Sequence, residues 1–238
     1  MFTVAVLVVA GVSKSSQTEI ENLHNKLRAT VSQYDQPAAT NMLKLYWDDE
    51  IAMIAQKQAD SCVYGHDQNI QRNIPGRLTL GQNIATGQRS WKEAIMDWFL
   101  EVHDYKYGVG KKSEYKIVNG ARVKVMVGHY TQIVWAKTSR IGCGYAYCPS
   151  LPYKHHYVCN YGPGGNVGKQ KPYEIGGSQA SACPSTRADG LCDCKNKICL
   201  NLGTMNPNTC QCSCVASFHR KSDCGCKYHS TPSEDLSE

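Results

Sequence analysis

The cysteines of this 238-residue chain are so unevenly placed that they constrain its fold more than any other feature. Of the 13, only Cys62, Cys143, Cys148 and Cys159 precede residue 180; the other nine crowd into residues 183–226. So short a segment buries too little apolar surface to hold itself folded, and disulfides are the usual substitute. They imply an oxidising compartment, and hence secretion. A zinc module is the competing reading. Against it, the segment has no Cys-x-x-Cys pair, and His219 and His229 are not spaced like finger ligands. Thirteen is odd, so one thiol is left over if all others pair, either free or joining two chains.

Phe2 to Val12 is an apolar run, far short of the roughly 20 residues that span a bilayer. It suits a signal peptide, with small residues around Gly11–Ser16 for cleavage. No other stretch is long enough for a membrane span. The net charge of +6 lies wholly on residues 1–182, and residues 183–238 are balanced. The basic residues are scattered, with Lys111-Lys112 the only doublet in residues 1–182, so there is no basic stripe of the kind that binds nucleic acid.

Hydrophobic spacing predicts three helices. Ile20, Leu23, Leu27 and Val31 mark one over 18–33; Ile51, Ile54, Ala55 and Ala59 mark a second from about Trp47 to Cys62. Ser90, with Glu93 three residues on, reads as the capping box of a third, whose apolar face is Trp91, Ile95, Trp98, Phe99 and Val102. Val123–Val127, Ile141–Tyr147 and Tyr153–Asn160 read as strands. Helices first and strands later predict an α+β fold in which helices cover both faces of a central antiparallel sheet.

Residues 128–135 read Gly-His-Tyr-Thr-Gln-Ile-Val-Trp, and 157–166 read Tyr-Val-Cys-Asn-Tyr-Gly-Pro-Gly-Gly-Asn. Upstream lie His24-Asn25-Lys26-Leu27-Arg28 and Gly81-Gln82-Asn83-Ile84. These four motifs, in this order, resemble the CAP superfamily: cysteine-rich secretory proteins, insect venom antigen 5 and plant pathogenesis-related proteins. The likeness is greatest to cysteine-rich venom proteins of marine molluscs such as cone snails. It implies a three-layer α-β-α sandwich followed by a small disulfide-rich module. The expected organisation is a signal or N-terminal segment (1–17), a CAP domain (18–167) and a hinge (168–182). A Cys-rich module of secretory-protein or EGF-like type (183–226) and a polar end (227–238) follow. The resemblance also implies the disulfides Cys62–Cys148 and Cys143–Cys159.

CAP domains share a cleft lined by two histidines and two acids. Motif by motif, these fall on His66, His129, Glu101 and Gln82. Most members carry Glu at the last position; Gln is neutral and can be neither general base nor charged ligand. His66 and His129, with oxygen from Glu101, are candidate ligands for a divalent ion such as Zn²⁺ or Ca²⁺, although none is required. The competing reading is a hydrogen-bonded polar cluster. His24, Asn25, Arg28, Asn83, Asn160 and Tyr161 are expected to serve structure, with the glycines of 164–166 supplying positive φ.

The residues themselves lean against an enzyme: there is no Gly-x-Ser-x-Gly and no His-Glu-x-x-His. The family resemblance carries the functional expectation. It implies a toxin or modulator of an ion channel or other extracellular target. The alternatives are an endopeptidase trimming precursor peptides through His66, Glu101, His129 and Gln82, and a carrier of sterol or lipid.

Overall fold

The computed structural model describes residues 11–215 and 221–225. Most of the Phe2–Val12 run, Cys226, His219, His229 and the polar end 227–238 lie outside the described residues. Helix α1 (Lys14–Ala29) starts at Ser13, whose Oγ accepts the Ser16 N–H, so it begins earlier than the apolar spacing alone indicates. A 3-10 turn, Val31–Gln33, follows it. Helix α2 (Asp49–Asp60) is capped by Asp48, and α3 (Trp91–Leu100) by Ser90 Oγ, which accepts the Glu93 N–H. Glu93 reaches back one residue further than a capping box requires, to the Arg89 N–H at 2.8 Å. Helix α4 (Gly128–Ile133) opens the first signature motif. Among the described residues, no helix is long and apolar enough to cross a membrane.

Four strands form the central sheet: β1 (Tyr46–Trp47), β2 (Gly81–Thr86), β3 (Arg140–Tyr147) and β4 (His155–Gly162), in the order β1-β3-β4-β2. Three run antiparallel as expected. The two-residue β1 pairs parallel to β3, so the sheet is mixed. Val123–Val127 is not one of its strands. That sequence contributes instead to an outlying hairpin, Tyr115–Val118 with Ala121–Lys124, every residue of which is exposed. An alternating apolar pattern specifies extended backbone but not which neighbour pairs with it.

Helices cover both sheet faces, giving an α+β sandwich. On one face α2 presses Ala55 and Ala59 against Ile84 and Val158. On the other, α1, α3 and α4 contribute Ile20, Leu27, Ile95, Phe99, Tyr130 and Ile133, packed with Ile141, Tyr157 and Tyr161. Disulfides join Cys62 to Cys148 and Cys143 to Cys159.

Residues 168–182 are held by backbone bonds rather than left open. Thr40 donates to Glu174 O, Ala180 to Ala39 O and Ala182 to Thr40 O, and Tyr173 and Ala180 are buried. Among the described residues, the Cys-rich segment carries four disulfides: Cys183–Cys192, Cys194–Cys210, Cys199–Cys212 and Cys214–Cys224. Each closes a loop of the size for which a crosslink contributes about 3 kcal/mol. This segment is clamped to the domain. Leu43 packs among Cys183, Cys192 and Cys194, and Arg140 donates to Asn196 O and Lys197 O. Asp193 accepts from Tyr46 Oη and pairs with Lys44.

Candidate functional site

Strand side chains alternate between sheet faces, so neighbouring residues of the edge strand β2 face opposite ways. Gln82 bonds the His66 ring from one face of the strand, and Asn83 bonds the His129 backbone from the other.

On the first side, His66 Nδ1 lies 2.9 Å from Gln82 Oε1. Since that oxygen only accepts, Nδ1 is the donor. The Arg72 guanidinium donates to the same oxygen at 3.0 Å, to Leu80 O at 3.0 Å, and pairs with Asp67. Gln82 Nε2 completes the set by donating to Asn160 Oδ1 at 3.1 Å. Arg72 belongs to this cluster, yet no motif or spacing singled it out. It sits in a four-residue helix, Asn69–Arg72, too short to leave a periodic signal.

On the second side, His129 Nδ1 is 2.7 Å from Glu101 Oε1. Glu101 Oε2 accepts the N–H groups of His129 and Tyr130 at 2.9 and 3.1 Å. Its carboxylate therefore caps the first turn of α4, where free amides and the helix dipole favour negative charge. Asn83 Nδ2 donates to His129 O at 3.1 Å, tying this pair to the strand. No hydrogen bond joins the two pairs directly among the described residues.

The structural motif residues form a third layer beneath. His24 Nδ1 faces Ile20 O at 2.8 Å, so it donates, and Nε2 accepts from Tyr161 Oη at 3.0 Å. Tyr161 Oη in turn accepts from Asn83. Asn25 brackets Leu45 by both its N–H and its C=O. Arg28 is fully buried and donates only to backbone carbonyls, among them Leu43, Ile133, Trp135 and Thr138. In the second signature motif, the glycines serve close approach rather than positive φ. A Cβ at Gly164 would lie 2.7 Å from Gly81 N, and one at Gly165 2.7 Å from the Trp135 ring. Asn166 takes the left-handed conformation, at φ 57°.

Burial, opposed by the hydrogen bond to Ile20 O and helped by the nearby Arg28 charge, pushes His24 down to about 4 from its ordinary 6.5. A base with a lowered folded-state pKa contributes fully above pH 6.5 and loses that contribution as pH falls toward 4. The loss reaches about 3 kcal/mol by pH 4. His156, whose pKa burial also lowers, adds to the loss in the same direction. Denaturant titrations at pH 7 and pH 4.5 should therefore differ by more than about 2 kcal/mol. Equal stabilities would mean that His24 is not held neutral.

The donor set fits a metal ion only in part. Two imidazole Nε2 atoms are oriented by hydrogen bonds at Nδ1, as zinc-binding histidines commonly are. A catalytic zinc centre takes three protein ligands, and no group of three or more His, Cys, Asp or Glu suited to a metal occurs among the described residues. The residues do not fit such a centre. Gln82→Glu should nonetheless be accommodated, because His66 and Arg72 already donate to that side chain. Asn160 Nδ2, buried without a partner, can rotate to donate as well. The variant is expected to bind Zn²⁺ about tenfold more tightly by calorimetry. An unchanged isotherm would remove this side of β2 as a zinc site.

Residues 21–161 match the family described as CAP: cysteine-rich secretory protein family. Cysteine-rich secretory protein 3 of Equus caballus is 44% identical over 181 residues, covering 74% of this chain and 68% of its own. The cysteine-rich venom protein helothermine of Heloderma horridum horridum is 39% identical over 181 residues, covering 74% and 69%. Among solved structures, that of NaASP2 with Zn²⁺ superposes with a TM-score of 0.59 at 30% identity, covering 77% of this chain and 98% of NaASP2. The four motifs, the mixed sheet between helical layers and these likenesses agree: the chain belongs to the CAP, or cysteine-rich secretory protein, family.

Proposed function

We propose that this protein is a secreted, non-enzymatic effector that binds an extracellular target, an ion channel being the leading candidate, through its Cys-rich segment. The clamp between segment and domain carries the reading. Four disulfides and the Arg140, Asp193 and Leu43 contacts hold a small irregular surface in one orientation. Pre-ordering of this kind lowers the entropy lost on binding. Leu202 and Val215 stand exposed on it as candidate anchors. Helothermine, a venom protein by name, is consistent with such a role.

The endopeptidase alternative rests on the His129–Glu101 pair, which has the geometry of a carboxylate-oriented imidazole. Glu101 Oε2 is already engaged in capping α4, Oε1 holds the His129 ring, and Gln82 offers no second base. One experiment separates the readings. The full chain is applied to a panel of expressed channels under voltage clamp, beside Leu202→Asp/Val215→Asp and His129→Ala. The expected result is a loss of about tenfold or more in potency for the first variant, as anchor residues give, and none for the second. The opposite pattern would move function to the histidine pairs, to be followed by cleavage assays on secreted propeptides with and without chelator.

A further inference from the structure

The strands of the hairpin Tyr115–Val118/Ala121–Lys124 pair with each other and with no strand of the central sheet. Its turn, Asn119-Gly120, has φ 47° and 78°, the conformation that tightens two-residue hairpins. It rejoins the body where Val125 N donates to Glu114 O, Val125 itself being fully buried. Such a ribbon is at best marginal in water on its own, yet this one carries apolar side chains outward on both faces. From the register, Tyr115 and Ile117 share one face with Arg122 and Lys124, and Val118 and Val123 share the other with Lys116. Ile117 is 69% exposed.

Charge follows the same segment. Residues 104–124 hold six Lys or Arg against two acids, Asp104 and Glu114. Those acids pair with Lys116 and Lys111. The Arg122 guanidinium lies 3.9 Å over the Tyr115 ring, a packing that leaves both groups at the surface.

We infer that this hairpin is a membrane-surface anchor that inserts its tip among anionic phospholipids. A protein partner covers one face of a ribbon, whereas a ribbon apolar on both faces needs a medium that closes around it, as lipid does. Four residues per strand span about 13 Å, enough to carry Ile117 and Val118 the roughly 5–10 Å to the acyl boundary. Arg122 and Lys124 then lie at headgroup level, with Tyr115 beside them where amphipathic rings settle. The anchor is independent of the target proposed above, and holding the protein at a membrane would raise its local concentration there.

The test is flotation of the full chain with vesicles of phosphatidylcholine alone and of 7:3 phosphatidylcholine to phosphatidylserine. Binding is expected only to the anionic vesicles and should weaken as salt rises. Arg122→Gln/Lys124→Gln should lower the partition coefficient about 30-fold, and Ile117→Ser/Val118→Ser at least tenfold, both with an unchanged thermal transition. Ile117→Trp should show blue-shifted emission on binding and quenching by brominated acyl chains. No binding to anionic vesicles, or binding that both double variants retain, would overturn the proposal. So would bound Ile117→Trp without quenching, which would signify contact through general basic charge. Double variants that bind vesicles normally but lose activity on a channel would reassign the hairpin to a protein contact.

Discussion

Arg28→Met is expected to destabilise the protein by roughly 5 kcal/mol, a large part of the 5–15 kcal/mol that holds a typical domain together. Among the described residues, the guanidinium has no carboxylate partner. It sits fully buried with its N–H groups spread over Leu43 O, Ile133 O, Trp135 O and Thr138 O, so one side chain of α1 satisfies a turn more than a hundred residues away. Desolvation lowers its pKa to about 9, which still leaves it charged at neutral pH. Methionine fills much of the volume but leaves those carbonyls buried and unpaired, at about 1–3 kcal/mol each. Lysine keeps the charge and loses the planar fork, so Arg28→Lys should fall between the two. Denaturant midpoints measure the effect, and the His24 resonance supplies a second readout. Loss of the Arg28 charge should move His24 upward in pKa. An Arg28→Met protein within about 1 kcal/mol of wild type would show that water reaches the turn and satisfies it.

Gly144→Ala should be nearly as damaging, by about 3 kcal/mol, for a reason of space and not of backbone conformation. A Cβ there would lie 2.3 Å from Gln56 Cα and 2.4 Å from Gln56 N. One at Gly142 would lie 2.2 Å from Ala52 N. Helix α2 thus rests directly on the backbone of β3, and the obstacle is main chain that cannot rotate aside. Lifting the helix would also break the bracket of Gln56, which donates to Tyr145 O at 2.8 Å and accepts from Tyr145 N at 3.1 Å. Gly11→Ala, with nothing within 4 Å of the added carbon, is the matched control and should leave the midpoint unchanged. If Gly144→Ala unfolds at the same denaturant concentration as that control, the helix–sheet contact is looser than the geometry shows.

Sequence alone carried a good deal of this protein. Periodic apolar residues placed α1, α2 and α3 to within a few residues, and Ser90 marked where α3 starts, because helices are specified by local spacing and caps. The family motifs singled out His66, Gln82, Glu101 and His129 by position, and the cysteine crowding by itself indicated a crosslinked C-terminal segment.

What the chain could not state by itself is everything that depends on partners distant in sequence. The Val123–Val127 alternation read as a core strand, since a period of two looks the same whether or not anything covers it. Only the folded molecule shows that hairpin pairing outside the central sheet. Residues 168–182 looked like a hinge because they are polar and glycine-rich, but backbone bonds to residues 39 and 40 hold them and bury Tyr173. Arg72 joins the Gln82 cluster, and Glu101 spends its carboxylate capping α4, through contacts that no local pattern encodes. Local propensity and motif order thus determined which elements form and which family they belong to. Tertiary packing decided which charges are buried, which polar groups satisfy one another, and which apolar surface is left facing outward.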